Sequence, residues 1–380
     1  MSIPAQDGAT ARPAPPPLPY VGAIAPYVAG KPIEALAREF GLPASQIVKL
    51  ASNENPLGVP ASAVAAMQAV LSDSGRYPDS NGHALKECLA QRFAVPPDWI
   101  TLGNGSNDIL EMCAATVLAP GTSCVFSQYA FAVYALATQA RGARAIVVPA
   151  RDFGHDLPAM RAAIAPDTRL VYLANPNNPT GSFLAADALE AFLDSVPSSV
   201  VVVLDEAYNE YLPPPLRYDA LAWVRRYPNL LVSRTFSKAY ALAGLRVGYA
   251  VAQPALAGYL NRVRHAFNVS SLAQAAAIAV LGDTPFLERS YATNRAGLEQ
   301  LERGLHALGL QTVPSQANFL LVRVGPAARV YEELLARGVI VRPVGNYGLP
   351  EWLRVSVGLP QENERFLAAL VPALAAASAA

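Results

Sequence analysis

Charge is what this sequence has least of. Only 15% of its 380 residues are charged, and 29 Lys and Arg balance 29 Asp and Glu to a formal net charge of zero. A balanced chain with no block of one sign lacks the basic footprint that nucleic acid or an anionic membrane surface selects, so neither is expected as a partner. Cysteine is scarce too. Cys88, Cys113 and Cys124 stand apart in apolar periodic segments, without CxxC spacing. They read as buried, reduced thiols of a cytoplasmic protein and not as a disulfide framework. The four histidines, His83, His155, His265 and His306, show neither zinc-ligand spacing nor a place in a Ser-His-Asp arrangement, so no metal is expected. Long apolar runs are also missing. The nearest, 273–281 and 370–380, are too short to cross a bilayer and read as buried helices. Residues 1–19 have no basic n-region and no apolar h-region, and their Ala/Pro richness predicts a disordered lead-in.

Apolar residues, by contrast, make up 52% of the chain, high for a soluble protein, and part of that surface is expected to lie in a subunit interface. Between about residues 98 and 252, short apolar runs (124–127, 145–148, 170–174, 200–204, 230–233 and 247–251) alternate with helical patterns (106–118, 131–141, 157–165, 185–196 and 220–227). Such alternation predicts an α/β fold, a mostly parallel sheet covered by helices on both faces. The run 200–204 is apolar at every position, as a central strand should be, and Asp205 follows it directly. In such sheets ligands bind beyond the carboxyl ends of the strands, which is where Asp205 stands. Near Pro285 the composition changes: a long helix over 286–308 leads into strands at 319–324, 339–342 and 352–357, a helix at 327–337 and a terminal helix. This predicts a large domain over 52–284, a smaller α+β domain over 285–380, and an N-terminal arm over 20–51 packed against the smaller one.

Four local patterns carry polar chemistry. Gly103-Asn104-Gly105-Ser106-Asn107-Asp108 lies between a short strand and an apolar helix, where glycines and helix N–H groups make a phosphate cup. It is not a GxGxxG pattern, and no acidic residue follows at the dinucleotide offset, so a nicotinamide dehydrogenase fits poorly. Asn175-Pro176-Asn177-Asn178-Pro179-Thr180-Gly181 follows one strand and Asp205-Glu206-Ala207-Tyr208 ends another. Last come Ser233-Arg234-Thr235-Phe236-Ser237-Lys238 and Gly244-Leu245-Arg246-Val247-Gly248. Each alone has a plain reading: a turn, a helix cap, a solvated lysine.

In this order the four resemble the fold-type I transferases that depend on pyridoxal phosphate (PLP), and among them the aminotransferases. The resemblance implies that Lys238 forms the Schiff base and that Asp205 pairs with the ring nitrogen. It also implies that Asn178 and Tyr208 hold the ring hydroxyl, and that Gly105, Ser106, Thr235, Ser237 and Arg246 bind the phosphate, with Asn107 close by. The chemistry suits these residue types. A buried carboxylate keeps the ring nitrogen protonated, and a desolvated lysine is neutral enough to act as nucleophile and base.

Lys49-Leu50-Ala51-Ser52-Asn53-Glu54-Asn55-Pro56, Arg76-Tyr77-Pro78-Asp79, Asn318-Phe319 and Leu353-Arg354-Val355-Ser356-Val357-Gly358 narrow the resemblance to the histidinol-phosphate aminotransferases, over nearly the whole chain. That family implies a homodimer in which Tyr77 reaches the partner's cofactor phosphate and Tyr20 assists from the arm. Tyr129 covers the ring, Arg354 takes a substrate α-carboxylate, Arg342 meets the donor's phosphate, and Asn53 lies at the substrate. The implied reaction converts L-histidinol phosphate and 2-oxoglutarate to imidazole-acetol phosphate and L-glutamate. An aromatic aminotransferase and a PLP decarboxylase of a phosphorylated amino acid are alternatives within the fold. A PLP-sensing regulator would need a DNA-binding appendage that the short Pro-rich N-terminus has no room for. One departure stands out: Ala241 occupies a position where relatives often carry Gly.

Overall fold

The computed structural model describes residues 15–26 and 30–379, so residues 1–14 of the lead-in expected to be disordered over 1–19 lie outside the described residues, and Pro19 opens a short helix, Pro19–Gly22. Strands form where β-branched and aromatic residues cluster between turns. In chain order they are β1 (Val48–Lys49), β2 (Ile100–Gly103), β3 (Ser123–Ser127), β4 (Arg144–Val148), β5 (Thr168–Ala174), β6 (Val201–Asp205), β7 (Leu230–Thr235) and β8 (Gly248–Ala252). β9 (Thr312–Val313), β10 (Phe319–Arg323), β11 (Val339–Ile340), β12 (Arg342–Pro343) and β13 (Trp352–Ser356) follow.

The large sheet runs β2-β8-β7-β6-β5-β3-β4. Its members from β7 to β4 pair in parallel, and β8 is antiparallel to both of its neighbours. Alternation along the strands divides the core. Val202, Leu204 and Val232 join one apolar cluster with Leu85, Leu89 and Ala273, while Val203, Leu231 and Tyr172 join another with Ile109, Leu110 and Tyr134. A period of two with both faces buried explains why β6 reads as a continuous apolar run. The result is the α/β architecture read from the sequence. The carboxyl ends of β5, β6 and β7 lie side by side, and the chain leaves them at Asn175, Asp205 and the Thr235–Lys238 turn.

A second, four-stranded sheet runs β12-β13-β10-β9. It packs against the long helix Thr284–Ala307, the helix Ala327–Ala336 and the terminal helix Pro360–Ala379 through Leu298, Leu320, Val330, Leu353 and Phe366. The single strand read over 339–342 is in fact two. β11 pairs in parallel with β1, and β12 pairs antiparallel with β13, with buried Val341 between them. Apolar alternation states which face is buried but not which neighbour accepts the hydrogen bonds, so one apolar run serves two sheets. Among the described residues no helix is long and apolar enough to cross a membrane.

Candidate active site

A cavity of about 270 Å³ opens beyond the carboxyl ends of β5–β7, walled on the other side by residues 51–54 and by Arg342 and Arg354 of the small sheet. Asp205, the last residue of β6, is buried. Its Oδ1 accepts from the Ala207 N–H at 3.3 Å and its Oδ2 from the Tyr134 hydroxyl at 2.9 Å. Burial pushes this carboxyl up to about 6, against the pull of those two donors. Lys238 Nζ donates to the Ser52 carbonyl at 3.1 Å and lies 5.9 Å from the centre of the Tyr208 ring. Desolvation first, then the charges of Arg354 and Arg246, bring its amine down to about 8. A lysine so placed is partly neutral near neutral pH, as a nucleophile or proton carrier must be.

The opposite wall is tied together by polar contacts. Tyr208 Oη accepts from Asn53 Nδ2 at 3.0 Å, and Asn53 is locked to Ser356 through its N–H at 2.8 Å and its Oδ1 at 2.9 Å. Burial pushes the Tyr208 phenol up to about 12, so it stays a neutral donor. Arg354 donates from Nη1 to Asn178 Oδ1 at 2.6 Å and from Nη2 to the Ala51 carbonyl at 2.9 Å, with its guanidinium 5.2 Å over the Phe319 ring. Behind the site, Arg234 and Glu206 form a buried ion pair at 2.8 Å, which fixes the turn after Asp205.

One corner is shaped for a phosphate. The helix Ser106–Val117 begins at Gly105 with no side-chain cap, so its first N–H groups remain available. Gly105 has φ +79°, and a Cβ there would stand 2.4 Å from Arg246 Nη2. Any side chain would thus fill the space between helix and guanidinium. Arg246 Nη1 donates to Ser237 Oγ at 3.3 Å, and Thr235 Oγ1 accepts the Ser237 N–H at 3.1 Å. The nearby carboxylate Asp108 is turned away, accepting from the Asn104 N–H and Asn268 Nδ2 at 2.8 Å each. Helix N–H groups, two hydroxyls and a guanidinium fit a phosphate monoester. With a buried carboxylate and a depressed lysine in the same cavity, they fit pyridoxal phosphate.

Comparison with known proteins agrees with this geometry. The pattern that defines the family described as aminotransferase class I and II matches residues 45–370. The chain belongs to that family. Within it, a histidinol-phosphate aminotransferase of Ralstonia nicotianae is 66% identical over 365 residues, covering 95% of this chain and 98% of the relative. One from Cupriavidus pinatubonensis is 66% identical over 359 residues, covering 93% and 96%. Among solved structures, the histidinol-phosphate aminotransferase of Sinorhizobium meliloti in complex with pyridoxal-5'-phosphate superposes with a TM-score of 0.87 at 30% identity, covering 94% and 97%. These confirm the fold-type I architecture that the motifs imply.

In this aminotransferase chain, twelve of the residues singled out from the sequence line the one cavity: Asn53, Ser106, Asn107, Asn178, Asp205, Tyr208, Thr235, Ser237, Lys238, Arg246, Arg342 and Arg354. Gly105 flanks it against Arg246. Three lie elsewhere in the single chain. Tyr129 stacks on Phe153 at 5.9 Å, while Phe131, two residues on, lines the cavity together with Tyr134 and Tyr208. Tyr77 is 81% exposed and stacks on Phe267 at 4.5 Å. Tyr20 packs its ring against Gly142. Sequence reasoning missed Tyr134, whose helix reads simply as apolar, and the Glu206–Arg234 pair, although both of its members lie inside quoted motifs. Ala241 adopts φ +59°, its N–H bonded to the Lys238 carbonyl at 2.9 Å, in the left-handed region that glycine occupies most easily.

Proposed function

We propose that this aminotransferase depends on pyridoxal phosphate and converts L-histidinol phosphate and 2-oxoglutarate to imidazole-acetol phosphate and L-glutamate, a step of histidine biosynthesis. The observation that carries the reading is one cavity joining a buried carboxylate, a depressed lysine, a phosphate corner and two further arginines. The names of the relatives at 66% identity support the choice of substrate.

Bound in the cavity, pyridoxal phosphate supplies a carbonyl for the donor's amine and a ring that withdraws electrons from the donor's Cα. Gly105, Ser106, Thr235, Ser237 and Arg246 hold its phosphate, with Asn107 beside them. Asp205 holds a positive charge at the ring nitrogen, and Asn178 and Tyr208 orient the ring hydroxyl. Lys238 Nζ is the nucleophile and the base that takes and returns the proton at the donor's Cα. Arg354 binds the α-carboxylate of glutamate and 2-oxoglutarate, Arg342 binds the donor's phosphate, and Asn53 fixes the Tyr208 hydroxyl at the substrate side. Tyr129 would cover the ring, and Phe131, two residues on, lines the cavity. The active unit is a homodimer in which Tyr77 and Tyr20 serve the partner's cavity. Residues 52–284 form the cofactor-binding domain, and the arm 20–51 joins 285–380. The free thiols suit a reducing, cytoplasmic compartment; burial pushes Cys113 up to about 12, which makes it inert.

The test is a donor panel of histidinol phosphate, histidinol, aromatic amino acids and a phosphorylated amino acid, with carbon dioxide release followed in parallel. Preference for histidinol phosphate without carbon dioxide supports the reading. A faster aromatic donor, or carbon dioxide release, replaces it. Borohydride reduction followed by peptide mapping should place the cofactor on Lys238, and a label elsewhere removes that lysine from its role.

A further inference from the structure

Tyr134 lies on the helix Ala132–Ala140, is fully buried, and forms part of the cavity wall. Its hydroxyl donates to Asp205 Oδ2 at 2.9 Å. The ring is held on three sides. It stacks on Tyr172 at 4.4 Å and 6°, meets Phe131 edge-on at 5.9 Å, and lies 6.5 Å from Phe126. Tyr172 is fixed in turn by its own hydroxyl, which donates to the Leu110 carbonyl at 2.8 Å. A phenol clamped in this way has one place to put its proton, and that place is the carboxylate at the end of β6.

The carboxylate needs the donor. Desolvation favours the neutral acid at Asp205, and Glu206 beside it acts in the same direction. A neutral acid cannot hold a positive charge at a ring nitrogen. The phenols facing it, Tyr134, Tyr172 and Tyr208, are themselves raised by burial and remain neutral donors at working pH. The remaining charged neighbour, Lys238, favours the carboxylate. Of the two hydrogen bonds the Asp205 carboxylate accepts, that from Tyr134 is the shorter, and it is the one a side chain provides. We propose that Tyr134 is a positioning residue that keeps Asp205 oriented and ionised, and so sets how tightly the cofactor's ring nitrogen is held. The inference rests on the role given to Asp205 above.

The experiment is equilibrium dialysis of the full-length holoenzyme from pH 5 to 8, with bound cofactor read by absorbance, for wild type, Tyr134→Phe, Asp205→Asn and the double variant. Phenylalanine keeps the ring and its stack and removes only the hydroxyl. Tyr134→Phe should hold the cofactor about tenfold more weakly at neutral pH, and its acid-side loss of cofactor should begin at higher pH, because Asp205 then protonates more readily. In the Asp205→Asn background the same change should cost about threefold or less and move no pH midpoint. A tenfold loss that persists in that background, or an unmoved midpoint in Tyr134→Phe alone, would mean that Tyr134 acts by packing and overturns the inference. If Asp205→Asn itself leaves cofactor affinity unchanged, the role of Asp205 fails first and the inference falls with it.

Discussion

Arg342 and Arg354 stand directly opposite one another across the antiparallel pair β12–β13, and both side chains line the same cavity. Like charges opposed across a sheet repel, so the arrangement is most stable when anions sit between and beyond them. In the proposed reaction a donor phosphate and a substrate carboxylate would supply those anions at the two positions. Arg342→Ala should raise KM for histidinol phosphate by about 10²-fold, from a charge-assisted contact of about 2–3 kcal/mol. The KM for 2-oxoglutarate should change much less. Steady-state kinetics on both substrates checks this, and equal losses would assign Arg342 to the scaffold or to the cofactor.

Asp205 gives a prediction with opposite signs in two forms of the enzyme. Its pKa is raised from 3.8 to about 6 by burial. A carboxyl raised by folding contributes stability that is full below pH 4 and lost as pH rises through 6. Cofactor-free Asp205→Asn should therefore be more stable than wild type at pH 7–8, by on the order of 2 kcal/mol, and no more stable at pH 4. With cofactor the same variant should turn over roughly 10²–10³-fold more slowly. Denaturant melts at both pH values, set beside turnover, test the pair; a destabilised cofactor-free variant at pH 8 contradicts the sign.

Ala241 supports a stability prediction of another kind. At φ +59° its Cβ crowds the backbone, a strain of about 1–2 kcal/mol that glycine does not carry, offset in part by glycine's greater freedom when unfolded. Ala241→Gly should raise stability by about 0.5–1 kcal/mol, seen as a higher Tm. A lower Tm would show that packing around the methyl outweighs the strain.

Tyr77, 81% exposed in one chain, is the test of a shared site. In a two-fold dimer each chain would give Lys238 to one site and Tyr77 to the other. Mixed dimers of Lys238→Ala and Tyr77→Ala chains then hold one intact site each. Random reassociation makes about half the dimers mixed, so about a quarter of wild-type activity should return. The test requires that Tyr77→Ala alone is clearly impaired. Activity no higher than the average of the two variants, in a sample that contains mixed dimers, rules the sharing out.

Much of the fold was legible because burial on both faces writes a distinctive sequence. The runs 200–204 and 170–174 fall on β6 and β5, and the helix read over 286–308 is observed over Thr284–Ala307. Asp205, Asn178 and Lys238 were legible because each follows such a strand within a motif. What escaped depends on geometry that residue type does not encode. Phe131 lines the cavity, and the chain's path into the helix Ala132–Ala140, which residue type does not reveal, brings it there. Tyr134 sits among apolar neighbours and reads as core. The helices Ala61–Val70, His83–Phe93 and Pro254–Val263 went unassigned, the first two with little contrast between their faces.

The segment from Leu50 to Asn55 is sewn on both edges. On one side Leu50 donates to the Ile340 carbonyl at 2.7 Å and accepts from the Ser356 N–H at 2.9 Å, while Asn53 bonds Ser356. On the other, Asn53 reaches Tyr208, Asn55 reaches the Ala239 carbonyl, and Lys238 Nζ reaches the Ser52 carbonyl. The last of these is the only fastener made by a reactive nitrogen. In the role proposed for Lys238, this stitch to the large-sheet edge is the one its nitrogen would give up, whereas the bonds from Leu50 to Ile340 and Ser356 use backbone groups alone.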